Sequence, residues 1–109
     1  MAPDAELAER IRRGLGDEES MEKRMFGGIG FMVSGNLAIA ASGQGGLLVR
    51  IDPADAESLL SEPGASPMVM RGSEVGGWIR VEAAAVQEDS ALERWIRVGV
   101  NRAGSLASQ

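Results

Sequence analysis

Glycine density between Met21 and Ile51 constrains this chain more than any other feature. Glycines stand at 27, 28, 30, 35, 43, 45 and 46 within that stretch. In a helix each would cost about 1 kcal/mol relative to alanine, which excludes a helix there. The segments between them are short and apolar and read as strands joined by tight turns. Ile29 to Ala41 forms a hairpin around Ser34-Gly35-Asn36. Its register matters, because a slip of one residue turns every side chain to the opposite face. A two-residue loop at Gly35-Asn36 splits the large side chains between both faces. A three-residue loop, or a two-residue loop with a bulge, gathers Ile29, Phe31, Val33, Leu37 and Ile39 on one core face. The second register is preferred. It leaves Gly30, Met32, Ala38 and Ala40 on a face that is small, flat and apolar. At least one of Gly27, Gly28 and Gly30 is expected to adopt positive φ or to admit another backbone closely.

The flanks read differently. Leu7, Ile11 and Leu15 recur at helical spacing, which predicts a helix from about Asp4 to Leu15 that Gly14 and Gly16 end. Leu47, Val49 and Ile51 alternate inward, with Leu48 and Arg50 outward. Asp52-Pro53 is a helix start with Asp52 as N-cap, and Ala56, Leu59 and Leu60 form the buried stripe of a short helix. Met68 to Arg71 is a strand, a turn runs from Gly72 to Gly77, and Trp78 to Glu82 alternates with Ile79 and Val81 inward. Ser90 and Glu93 have capping-box spacing. Leu92, Trp95, Ile96, Gly99 and Ala103 then form the apolar face of a last helix. The order is helix, three or four strands, helix, two strands, helix. It predicts an α+β fold, two-layered, with one antiparallel sheet and the helices on one face. Residues 1–109 make a single domain with a core over about 5–103, and the tail 104–109 frays.

Chemistry is narrowed by what is missing. The chain has no cysteine, histidine or tyrosine. That removes disulfides, Cys or His zinc sites, cysteine nucleophiles and histidine-based triads. Neither a metal nor a cofactor is expected. Ser20-Met21-Glu22-Lys23 matches the S-x-x-K pattern of acyl transferases. These residues lead into a strand, however, where Ser20 and Lys23 point apart, and the partner motifs are absent. Gly27-Gly28-Ile29-Gly30 and Gly43-Gln44-Gly45-Gly46 lie between strands, so they read as bulges and turns, not phosphate cradles. Asp52 and Asp55 read as a helix cap.

A net charge of −5 and a pI near 4.7 weigh against broad phosphate binding. Arg50, Arg71 and Arg80 on strands, or Arg94, Arg97 and Asn101 on the last helix, could still contact phosphates; pairing with nearby glutamates fits the charge better. No run approaches the ~18 apolar residues of a membrane span. The acidic amino end has no signal-peptide pattern, so a cytoplasmic protein is expected. Trp78 sits outward on its strand. An outward Trp beside a small apolar face suggests a contact surface, the alternative being that a helix or the chain terminus covers it.

Arg24-Met25-Phe26-Gly27-Gly28-Ile29-Gly30-Phe31, followed by Gly35-Asn36-Leu37, resembles the N-terminal domain of the TfoX/Sxy family. Met25, Phe26, Gly27, Gly28, Gly30 and Gly35 carry the motif. Leu47 to Pro53, Gly77 to Val81 and the closing helix resemble the family's later elements, so the likeness runs from about Leu7 to Ala103. It implies a two-layer α/β fold like that of secretion chaperones and supplies no catalytic residues. Family members with known roles regulate natural competence together with the cyclic-AMP receptor protein, and carry a second, C-terminal domain. Where the family tends to have aromatic residues around the fifth strand, this sequence has Met68, Val69 and Met70.

The expectation is therefore a non-enzymatic regulatory or protein-interaction module. Its candidate surface is Met32, Ala38, Ala40, Trp78 and Arg80. The alternatives are a nucleic-acid-binding accessory domain and a small enzyme or ligand-binding protein with a cleft between sheet and helix. A protein partner is expected, direct nucleic-acid binding is not, and the apolar hairpin face suggests a homodimer about a two-fold axis.

Overall fold

The computed structural model describes residues 3–25 and 27–107. Its elements run α1 (Pro3–Leu15), β1 (Met21–Met25), β2 (Gly28–Val33), β3 (Asn36–Ala41), β4 (Leu47–Arg50), α2 (Ala56–Leu60), β5 (Ala65–Met70), β6 (Ser73–Val81) and α3 (Asp89–Ala107). The six strands form one antiparallel sheet in the order β1-β2-β3-β4-β6-β5. The helices cover one face, so the predicted two-layer α+β architecture holds, with four strands before α2. Leu7, Ile11, Leu59, Leu92, Trp95 and Ile96 from the helices meet Phe31, Ile39, Val49, Ile79 and Val81 from the strands in the main core.

The β2–β3 hairpin decides the faces. Its turn is Ser34-Gly35, with φ of +54° and +81°. Both central residues are left-handed, as the turn that matches strand twist requires. The turn lies one residue earlier than Gly35-Asn36. Asn36 is instead the first residue of β3, and its Nδ2 donates to the Ala103 carbonyl of α3 at 3.2 Å. Met32 pairs with Leu37 and Phe31 with Ile39, leaving Ala38 as the extra residue of a bulge. The expected bulge is present, but the earlier turn exchanges two side chains. Leu37 faces outward over Gly30, and Ala38 is fully buried in the helix-side core. Ala38 is therefore not part of an outer surface. Gly99 of α3 permits the helix contact here: a Cβ on it would lie 2.4 Å from the Ala38 carbonyl oxygen.

The glycine expectation is met twice. Gly27 has φ of +70°, and a Cβ on Gly28 would lie 1.9 Å from the Ala41 carbonyl oxygen. Gly43 approaches Gly27 as closely, so these glycines let two strand ends touch backbone to backbone.

Four boundaries differ from the sequence reading, the first being β5, which begins at Ala65 and not at Met68. The β5–β6 turn is only Arg71-Gly72, with φ of +52° and +80°, so β6 begins at Ser73 and not after Gly77. Helix α3 starts at Asp89, which puts Ser90 in its first turn and not at its cap. The helix also continues through Gly104 to Ala107 where fraying was expected, with Ala103 buried against the sheet layer. Ser108 and Gln109 lie outside the described residues. Asp52 caps as expected: its Oδ1 accepts from the Ala54 amide at 3.0 Å, at the head of a 3-10 turn leading into α2.

Ion pairs tie the helices down. Arg10 of α1 donates to the Val86 and Gln87 carbonyls at 2.8 and 3.0 Å and meets Asp89 at 3.0 Å. Arg12 holds Glu22 of β1 with two bonds, at 2.6 and 2.7 Å. Hydrogen bonding from Arg12, with its charge, holds the Glu22 carboxyl below the 4.5 ordinary for glutamate. A depressed carboxylate stabilises the fold above its unfolded value, and that gain is lost as pH falls through the folded value. Arg12→Ala should therefore melt lower than wild type at pH 7, with the gap closing on acidification below about pH 4. The effect should be small and salt-sensitive, because the pair is largely exposed. Thermal melts across pH check it; a gap that widens in acid would contradict it.

Candidate interaction surface

The helices leave the second face of the sheet open, and strand register defines what it carries. One row across the sheet runs Lys23, Gly30, Ala40, Leu48 and Arg80. The next rows add Met21, Met32 and Leu37 at one side and Arg50 with Trp78 at the other. Part of this face has its own small core: Ala40, Leu48 and Met68 are buried together, with Val75 and Trp78 against them. Met68 stands at an irregularity in the β5–β6 pairing, which brings its side chain over β6 towards β4 and β3.

Each expected surface residue can now be placed. Met32 faces outward and is half-buried. Ala40 faces outward as expected, but Leu48 and Met68 cover it completely, so no partner can touch it. Ala38 is in the main core. Trp78 faces outward beneath Arg50, whose guanidinium lies 5.1 Å from the indole centre. The two residues are cross-strand neighbours, which brings cation and ring together. Arg80 donates to the Gly45 carbonyl at 2.6 Å and to Ser42 Oγ at 3.4 Å. Ser42 Oγ also accepts from the Gln44 amide at 3.2 Å. Arg80 thus braces the β3–β4 turn while remaining half-exposed.

Of the motif residues, Gly27 and Gly28 make the close approach to Gly43 and Ala41, and Gly35 forms the hairpin turn. Gly30 leaves room for Met25 and Leu37 to close over it. Phe26 lies outside the described residues.

The sequence reading placed Met32 on this face but missed the other methionines. Five of the six lie on this face or along its rim: Met21, Met25, Met32, Met68 and Met70. Met21 and Met70 are 64% and 45% exposed, and Val69 beside Met70 is 59% exposed. The buried residues of the main core include no methionine. Leu48, Met68, Met70, Pro67 and Arg80 line a shallow groove of about 440 Å³, with Ser42 and Gln44 at one end.

Among the described residues, four of the other eight arginines pair with carboxylates, Arg10 and Arg12 as described above. Arg94 forks onto Glu62, and Arg102 lies 3.7 Å from Asp52. Arg97 and Asn101 line a cleft between α1 and α3, which lies within the helix layer and not between sheet and helix. Lys23 lies on β1 with Ser20 outside the strand. Among the described residues no helix is long and apolar enough to cross a membrane.

Architecture defines a small two-layer α+β domain with one sheet face free of helices. Residues 16–103 match the family model described as the TfoX N-terminal domain. The chain belongs to that family. No curated protein and no solved structure matches it.

Proposed function

We propose that this chain is a non-enzymatic regulatory module of the cytoplasm that binds another protein through the outer face of its sheet. The observation that carries the reading is the composition of that face. Half-buried Met32 and Leu37 lie with exposed Met21 towards the β1 edge, half-buried Trp78 and exposed Met70 lie towards the β5 edge, and no helix covers them. Apolar surface of this kind, with a polar rim, is what protein contacts use. Membership of the TfoX N-terminal domain family supports a role beside transcription regulators, as the competence regulators it resembles would imply.

A different protein fits this face better than a second copy. Two-fold pairing through this face would gather two copies each of Lys23, Arg50 and Arg80 into one contact, and like charges at a contact are costly. Sedimentation at micromolar concentration should therefore give a monomer near 11.4 kDa. A photo-crosslinking residue at Met32 should yield discrete heterologous adducts in the native cytoplasm, and one at Ser105 on the helix side should not. Adducts only from Ser105, or equal patterns from both positions, would remove the outer face from consideration.

A further inference from the structure

Charge is spread unevenly over this molecule. Sixteen carboxylates outnumber eleven basic side chains in the whole chain. Within the six strands, however, the carboxylates are Glu22 and Glu74 alone. Glu22 turns to Arg12 on the helix side, and Glu74 sits near the β5–β6 tip opposite Val69. The outward strand positions carry Lys23, Arg50 and Arg80. A chain of net charge −5 thus presents positive side chains on the one sheet face its helices leave open.

Two of these charges are already held in place. Arg80 is bonded to the β3–β4 turn, and Arg50 lies over Trp78. Ordering them on binding therefore costs little. Between them and the β5 edge runs the groove floored by Leu48 and Met68. Methionine side chains adapt to irregular apolar partners. Lys23 and Arg80 belong to one row, four strand spacings apart, or roughly 19 Å at ~4.8 Å per spacing.

Resting on the reading that this face binds protein, we propose that its partner is an acidic polypeptide segment with an apolar anchor. The anchor enters the groove of Leu48, Met68 and Met70, and carboxylates flank it towards Arg80, Arg50 and Lys23. A segment of about six extended residues, or roughly three helical turns, spans the row. Phosphates would also complement these charges. The methionine-lined groove offers them nothing, and the indole that could stack a base is occupied by Arg50.

The test is selection from a displayed library of random short peptides on the intact chain, with a dye-labelled single-stranded DNA assayed in parallel. The expected result is a consensus that combines acidic and large apolar residues. The synthetic consensus peptide should bind with an affinity that falls as salt rises. Lys23→Glu with Arg50→Glu should weaken it about tenfold or more, while circular dichroism shows the fold unchanged. Arg80→Lys, which keeps charge but not the fixed fork, should weaken it less than the double reversal. No enrichment, a consensus without carboxylates, or peptide affinity indifferent to the double reversal would overturn the proposal. So would DNA binding that the double reversal abolishes when no peptide is selected. If Met32 crosslinks persist in any of these cases, the partner chemistry is wrong and the protein-binding reading survives; if they are absent too, both fall.

Discussion

Gly28→Val should destabilise the domain by about 3 kcal/mol or more and lower its melting temperature by roughly 15 °C. The first added carbon already sits 1.9 Å from the Ala41 carbonyl oxygen and 2.8 Å from the Gly43 amide nitrogen. Both neighbours are backbone, so neither can swing aside as a side chain would. Relief requires β2 and β3 to part at this end. Ile29, which pairs with Ala41 one residue further on, packs against the main core. Overpacking within a core typically costs about 1–3 kcal/mol, and a clash with rigid backbone belongs at or beyond the top of that range. Against a total stability of about 5–15 kcal/mol the variant would be marginal. Gly35→Ala is the control: its turn φ of +81° is strained for alanine, but nothing stands within 4 Å. Its loss should be about 1 kcal/mol. Thermal melts of the two variants check this; equal losses would show that β2 and β3 do not approach as closely as described.

Ala38→Glu and Ala40→Glu should both abolish stable folding. Each alanine is fully buried, Ala38 in the main core near Gly99 of α3 and Ala40 beneath Leu48 and Met68. A buried carboxylate with no counter-charge costs several kcal/mol or forces the group to take up a proton, and the extra volume has nowhere to go. Met32→Glu on the same outward side should keep the fold, because its side chain is half-exposed. The three variants separate two ideas of the hairpin. If Ala38 and Ala40 were an open surface, all three would fold alike. Circular dichroism and hydrogen exchange of the purified proteins decide it, and a folded Ala38→Glu would refute the bulge register.

Local physics settled a large part of this protein before any tertiary contact is considered. Glycine density ruled out helix between Met21 and Ile51, and Asp52-Pro53 encoded a capped start. The spacing of Leu92, Trp95, Ile96, Gly99 and Ala103 marked the buried face of α3 residue by residue. The family was legible in the sequence too, and the match over residues 16–103 bears it out. These features are written in backbone preference and periodicity, which act over a few residues.

The candidate surface was legible only in part. Trp78, Arg80 and Met32 could be placed outward from alternation alone. Ala38 could not, because its direction depends on where a bulge falls, and the bulge is located by Asn36 reaching Ala103 and by α3 pressing Gly99 onto β3. Those contacts join residues more than sixty positions apart. The cover over Ala40 has the same origin: Met68 arrives from a distant strand through an irregular pairing that no local pattern encodes. Pairing order likewise set Arg50 over Trp78 and brought Arg80 to the β3–β4 turn. Sequence determined which segments become strands and helices; long-range packing decided which small residues are buried and which charges share the open face, because bulge position and strand order are settled only when the layers close.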